Sequence, residues 1–183
     1  MKLFPGKPAD PSVYLKLRNM MLQTPSTKKF NPDFPLGPTE PYGVLMDFTV
    51  PNGSATVVAI LDGTGSLYLS SGGGFIGGGQ SHESIRSGAK KTVEIANQVQ
   101  TLMHPTTDYP LPQPGEVTFY VLTKAGVFTA SASQRDLQSQ RNPLCSLYES
   151  AQTIVTAYRL INTKKSEGSQ SDRENPPEPP LIN

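Results

Sequence analysis

Residues 42–70 read YGVLMDFTVPNGSATVVAILDGTGSLYLS, and three β-strands can be placed within them. Residues 44–50 alternate in the pattern of a half-buried strand. Pro51-Asn52-Gly53 predicts a hairpin turn, and the continuous apolar run 57–61 that follows predicts a central strand. A second glycine-containing turn leads into a third strand at 66–70. Such short turns predict that neighbouring strands run antiparallel.

Helices and two further strands are predicted around this hairpin region. Apolar spacing and an Asp-Pro start predict a short helix over 11–22. Longer apolar stripes predict helices over 81–103 and 142–161, and alternation predicts strands at 117–121 and 127–133. The expected fold class is therefore α+β. It has a single five-stranded, mainly antiparallel sheet covered on one face by two long helices, with a short N-terminal helix.

The same patterns divide the chain into three parts. Residues 1–41 form an N-terminal lead, a short helix and a proline-rich extended segment, because prolines disrupt regular structure there. Residues 42–162 form the single α+β domain. Residues 163–183 are predicted to be a disordered tail, because they offer little apolar surface to bury.

Composition narrows the possible environments and partners. The formal net charge of +1 gives no general attraction to nucleic acids or anionic membranes. Cys145 is the only cysteine, and no apolar run has the length of a signal peptide core or a membrane span, so we expect a cytoplasmic protein.

The N-terminal thirty residues of the chain are basic, with only Asp10 as counter-charge. We expect a solvated basic arm, with weak contact to an acidic partner as the alternative. Its basic residues are Lys2, Lys7, Lys16, Arg18, Lys28 and Lys29.

A glycine-rich segment precedes the second helix and reads GGGFIGGG over residues 72–79. It formally matches G-x-G-x-x-G, and glycines there would let backbone N–H groups approach a phosphate at a helix N-terminus. However, the predicted helix starts only at Ser81, and no strand ending in an acidic residue follows at the spacing of a dinucleotide site. An anion or another small ligand is the remaining candidate. The candidate ligand-binding residues are Gly74, Gly77, Gly78, Gly79, Gln80, Ser81 and Arg86. The alternative is a purely structural connection that needs positive φ angles.

No pattern in the chain indicates catalysis or metal binding. His82, His104 and Cys145 lack the spacing of metal ligands, so no metal and no cofactor are expected. There is no G-x-S-x-G sequence, and Asp47 and Asp62 each have an adequate local role without forming an acid/base couple. The sequence therefore favours a protein that is not an enzyme.

Three resemblances add expectations. The outline of residues 42–162 resembles the profilin-like and roadblock/longin-like folds, which implies an interaction platform that dimerises. Gly63–Gly79, in which SLYLSS leads into the glycines, resembles a stretch of uncharacterised small bacterial proteins and implies no activity. Gly78-Gly79-Gln80 resembles the Gly-Gly-Gln tripeptide of peptide release factors, which implies hydrolysis of peptidyl-tRNA through Gln80.

These observations leave three hypotheses for function. The first is a non-enzymatic interaction or scaffold module that acts as a homodimer with an unidentified protein partner. We expect its dimer surface on the sheet face without helices, where Leu45, Tyr68 and Tyr120 would be exposed. The second is a protein that binds a small ligand or anion through the glycine-rich segment. The third is a peptidyl-tRNA hydrolase-like activity.

Overall fold

The computed structural model describes residues 11–27 and 35–174 and contains one antiparallel β-sheet. The sheet has seven strands in the order β4-β3-β2-β1-β6-β7-β5. The α+β class with an antiparallel sheet is thus confirmed, and the predicted number of five strands is wrong. The strands are β1 (Pro41–Val50), β2 (Gly53–Ile60), β3 (Gly65–Leu69), β4 (Gly74–Phe75), β5 (His104–Thr106), β6 (Glu116–Thr123) and β7 (Gly126–Ser133).

The two additional strands are short and lie at opposite edges of the sheet. β4 lies within the glycine-rich segment and pairs with β3 through Leu67↔Phe75 and Tyr68↔Gly74. β5 pairs with β7, and its central residue is Pro105, which the edge position tolerates because one side of an edge strand forms no ladder. Strands of two and three residues are too short to show an alternating pattern, so the sequence gives no sign of them.

Helices cover both faces of the sheet. α3 and α5 pack on one face, where their apolar sides form the larger core with β1, β2 and β6. α3 ends at Val99, earlier than predicted, and a 3₁₀ turn leads from it towards β5. Two short helices, α2 and α4, lie in segments for which no helix was predicted. The helices are α1 (Pro11–Leu22), α2 (Thr24–Thr27), α3 (Glu83–Val99), α4 (Gln134–Gln138) and α5 (Cys145–Glu174), with 3₁₀ turns at Gly78–Gln80 and Gln100–Leu102.

The opposite face of the sheet is covered by α1 and two loop segments. Tyr14 and Leu22 of α1 are buried in a second core. Leu45, Tyr68 and Tyr120 are buried in the same core, so the prediction that they form an open dimer surface is wrong. The physical reason is that the short N-terminal helix folds onto the sheet and removes this apolar surface from water.

A buried ion pair holds α1 against the centre of the sheet. Arg18 Nε donates to Asp47 Oδ2 at 2.8 Å, and its Nη2 lies 2.6 Å from the same oxygen. Both side chains are almost fully buried. The expectation of a solvated basic arm is therefore wrong for Arg18, and Asp47 has a tertiary partner that its position in an alternating strand did not indicate.

The last helix continues beyond the predicted end of the domain. α5 runs to Glu174, so the boundary predicted at residue 162 falls inside a helix. Residues 175–183, in the predicted tail, lie outside the described part of the chain, as do 1–10 and 28–34. The predicted disorder of the tail therefore remains a prediction.

Candidate functional site

The glycine-rich segment joins the edge of the sheet to α3 through two tight turns. Its backbone enters the left-handed region at Gly77, where φ is 67°, and then forms the 3₁₀ turn Gly78–Gln80. Gly77 N donates to Ser66 Oγ at 3.1 Å. The segment is thus bound to the start of β3 before α3 begins at Glu83.

Tyr158 of α5 is the main anchor of this segment. Its hydroxyl donates to the carbonyl oxygen of Gly65 at 2.7 Å and accepts from Gly78 N at 3.2 Å. The ring of Phe75 stacks on the Tyr158 ring with 4.3 Å between centroids and 13° between planes. Burial is the main reason why the pKa of Tyr158 is raised to about 12, so the hydroxyl stays protonated and can donate. The ring and hydroxyl of Tyr158 therefore anchor the segment to the domain's core.

Steric limits explain three of the predicted ligand-binding glycines, Gly74, Gly78 and Gly79. A Cβ atom on Gly79 would lie 1.8 Å from the carbonyl oxygen of Gly63, and one on Gly78 would lie 2.5 Å from the Tyr158 hydroxyl. Neither position can hold a side chain without a shift of the backbone or of a buried tyrosine. At Gly74, where φ is 144°, a Cβ atom would clash with the carbonyl oxygen of Leu67. Close packing therefore accounts for these three glycines without any ligand.

The N-terminus of α3 already carries a carboxylate of this chain. Glu83 lies in the first turn and forms an ion pair with Arg86, whose Nη2 also donates to the carbonyl oxygen of Gln80 at 3.0 Å. A carboxylate at this position interacts favourably with the helix dipole, as an anionic ligand would. Arg86 thus stabilises the local turn, and the Glu83 carboxylate neutralises much of the positive charge that would attract an anionic ligand.

Three of the predicted residues meet in a small polar cleft. Gly79, Gln80 and Arg86 line a space of about 210 Å³. The β2–β3 turn completes the lining with Asp62, Gly63 and Thr64. The other four predicted residues, Gly74, Gly77, Gly78 and Ser81, do not line it. The Gln80 residue is exposed, whereas Gly79 is buried behind it. The cleft offers a guanidinium, a carboxylate and an amide to a small polar molecule.

A much larger groove lies on the outer side of the helical layer, where α3 and α5 run beside each other. Its volume is about 1450 Å³, and it is open to solvent. The α3 wall includes His82, Ser87 and Lys91, and the α5 wall includes Tyr148, Thr156 and Leu160. The two helices approach each other closely beneath this groove. A Cβ atom on Gly88 would lie 2.9 Å from Thr153 Oγ1.

Sequence reasoning did not find this groove. Leu160 is 59% exposed and falls outside the apolar stripe of α5 that faces the sheet. The signals available in the sequence were Leu160, an apolar residue outside the buried stripe of α5, and Gly88, a glycine inside α3. Neither feature indicates by itself that the two helices lie side by side.

Buried polar side chains inside the described regions all have hydrogen-bond partners. No buried side-chain nitrogen or oxygen among them lacks a hydrogen-bond partner. No group of three or more histidine, cysteine, aspartate or glutamate residues in 11–27 and 35–174 is placed to hold a metal ion. No helix in those ranges is long and apolar enough to cross a membrane.

Comparison with known proteins adds no relative. No protein-family model matches the chain, and neither a curated protein nor a solved structure is significantly similar to it. The function is therefore inferred from the geometry of the two candidate surfaces.

Proposed function

We propose that the protein is a non-enzymatic interaction module and that it acts as a homodimer through the groove between α3 and α5. The observation that carries this proposal is the groove itself, an open space of about 1450 Å³ with the exposed Leu160 in one wall. Other groups that could bind a ligand or react, including the Arg18–Asp47 pair and the Tyr158 hydroxyl, are engaged in internal contacts.

The charges around the groove suit a second copy of the same chain. Its lining includes Glu83, Glu94 and Glu149 together with Lys90 and Lys91, so both signs are present on one surface. In a two-fold symmetric dimer each surface meets itself in the opposite direction, so mixed charges can pair across the interface. The α3 wall from residue 83 to 94 is roughly 17 Å long, which is enough for three turns of helix to pack against it.

Sedimentation of the wild-type protein and two variants tests this proposal. We expect a dimer at micromolar concentration. Leu160→Asp places a charge in the groove and should raise the dimer dissociation constant by roughly tenfold or more, at a cost of about 1.4 kcal/mol per factor of ten. Leu102→Asp is the matched control, because Leu102 is 50% exposed but lies outside the groove. A monomer at micromolar concentration, or equal effects of both variants, would contradict the proposal.

A small-ligand or anion site at the polar cleft is the second candidate. It is supported by the convergence of Gly79, Gln80 and Arg86 with Asp62 and Thr64. Inorganic phosphate should then raise the melting temperature in a saturable way, and Arg86→Ala should abolish that rise. No saturable rise would remove this candidate.

The release-factor resemblance gives a third candidate, supported by the exposed Gln80 at the turn. A peptidyl-tRNA hydrolysis assay of wild type and Gln80→Ala tests it. Hydrolysis that disappears in Gln80→Ala while the melting temperature stays unchanged would support this candidate, and no hydrolysis by wild type would remove it.

A further inference from the structure

Proline occupies every second position in the segment that joins β5 to β6. Residues 109–114 read YPLPQP and form neither a helix nor a strand. Each proline ring fixes its own φ at about −65°, and each residue before a proline is driven out of the helical region into an extended conformation. Every residue of the segment is therefore biased towards the polyproline II conformation, a left-handed helix with about three residues per turn.

The exposure of side chains along the segment has the same period. Thr106, Tyr109 and Pro112 are partly or fully buried, and both residues between successive members of this set are exposed. Because a polyproline II helix returns to the same side at every third residue, one ridge of the segment faces the protein and the other two ridges face solvent. The two outward ridges carry Pro110, Leu111, Gln113 and Pro114.

Hydrogen bonds from the domain hold the segment in place from its inner side. Arg18 Nη1 donates to the carbonyl oxygen of Tyr109 at 3.1 Å, and Arg18 Nη2 donates to that of Pro110 at 3.2 Å. The Tyr120 hydroxyl also donates to the Pro110 carbonyl oxygen, at 2.7 Å. The Tyr109 ring meets the Tyr120 ring edge-on with 5.7 Å between centroids. The backbone of the segment is thus ordered in advance, so a partner would not have to order it on binding.

We propose that residues 109–114 are a preformed polyproline II ligand for a partner protein whose binding groove is lined by aromatic side chains. Grooves of this kind bind proline-rich segments and exploit the low conformational entropy of the polyproline II helix. A groove can contact two ridges of a three-sided helix at once, and here the third ridge is the one that the domain itself holds. The segment does not line the groove between α3 and α5, so this proposal is independent of the proposed homodimer.

The residues around the segment indicate the charge of that partner. Leu111 is 36% exposed and stands between two prolines, so the outward ridges are largely apolar. Residues 92–123 contain no lysine or arginine, whereas Asp108 and Glu116 flank the segment. The Asp108 side chain is exposed next to the first outward proline. Charge complementarity therefore favours a partner that carries a basic side chain beside its aromatic groove.

Titration of purified WW and SH3 domains with the full chain tests this proposal, because both kinds of domain bind polyproline II segments in aromatic grooves. A tryptophan in the groove of each domain reports binding without background, since this chain contains no tryptophan. We expect a saturable change in tryptophan emission for at least one domain at chain concentrations up to about 1 mM. No change with any domain of the panel would overturn the proposal.

Two variants show whether binding occurs through the outward ridges. Leu111→Asp should weaken binding by roughly tenfold, and Pro110→Ala by roughly threefold, because each removes an apolar contact with the groove. Ile76→Asp is the matched control, since Ile76 is 70% exposed and follows β4 at the opposite edge of the sheet. Circular dichroism checks that all three variants keep the fold. Equal losses in Leu111→Asp and Ile76→Asp, or no loss in Leu111→Asp, would overturn the proposal.

A synthetic peptide of residues 108–115 separates the sequence of the segment from its presentation by the domain. The peptide has the same prolines, but its backbone is not held by Arg18 and Tyr120. We expect it to bind the same domain roughly threefold or more weakly than the full chain does, because its backbone must be ordered on binding. Equal or tighter binding by the peptide would overturn the inference that the fold prepares the segment for its partner.

Discussion

Replacement of Asp47 by alanine should destabilise the whole domain, although Asp47 lines neither candidate site. Its carboxylate accepts from Arg18 and, at 2.6 Å, from the Thr56 hydroxyl, which also bonds the Tyr14 hydroxyl at 3.0 Å. Burial raises the pKa of Asp47, and Arg18 and Thr56 oppose that rise. Without the carboxylate, Arg18 would remain buried with only the carbonyl oxygens of Tyr109 and Pro110 as partners.

The expected loss is large relative to the stability of a domain. Removal of one partner of a buried ion pair leaves an uncompensated charge and costs about 3–5 kcal/mol. A domain of this kind is stable by only about 5–15 kcal/mol in total. Arg18 also places its guanidinium 5.4 Å from the centroid of the Tyr120 ring, so it packs against a residue of the second core. We therefore expect Asp47→Ala to lose about a fifth or more of the folding free energy.

Urea unfolding followed by circular dichroism measures this loss. The matched control is the double variant Arg18→Met/Asp47→Leu, which replaces both charges by apolar groups and should be near neutral or stabilising. A loss of less than about 1 kcal/mol in Asp47→Ala would refute the reasoning, because it would mean that Arg18 reaches water at little cost. A double variant as unstable as Asp47→Ala would also contradict it, because the defect would then lie in packing and not in charge.

Four further predictions concern individual side chains and glycines. Tyr158→Phe keeps the stack on Phe75 but leaves Gly65 O and Gly78 N without a partner, so chemical denaturation should show a loss of about 1–3 kcal/mol; an unchanged midpoint would rule out the anchoring role. Gly79→Ala should lower the free energy of unfolding by more than about 2 kcal/mol, because its Cβ would meet the Gly63 carbonyl. Gly77→Ala has open space around its Cβ but a φ of 67°, so it should lower the free energy of unfolding by about 1 kcal/mol in the same assay. Gln140→Gly should raise the free energy of unfolding by about 1 kcal/mol, because Gln140 holds a positive φ of 56° after α4; a loss would show that its bond to Glu149 matters more. The pKa values of Tyr14, Tyr120 and Tyr158 are raised from 10.0 to about 12. The stability that these protonated tyrosines contribute should therefore be fully present below about pH 10 and should be lost as the pH rises to about 12. Urea midpoints that stay constant across that range would contradict this.

Local signals were sufficient for most of the fold and for little of the site. Alternation located β1, and Pro51-Asn52-Gly53 located the hairpin turn after it. The Asp-Pro start located α1 at 11–22. The edge strands β4 and β5 were missed because two or three residues carry no period. For the glycine-rich segment, the sequence showed an excess of glycine but could not show its cause. At Gly79 that cause is the approach of the Gly63 carbonyl, sixteen residues earlier in the chain.

The amino-acid sequence by itself determined the α+β class, the antiparallel hairpins and the position of the long helices, because these depend on turn residues and on spacing within one segment. Only the tertiary structure decided that α1 covers the second face of the sheet. It also decided that Arg18 meets Asp47 there and that α3 and α5 leave a groove between them. The physical reason is that a buried ion pair and a groove between helices depend on residues from separate segments. Their meeting is set by how whole elements pack, and the pattern within any one element does not record it.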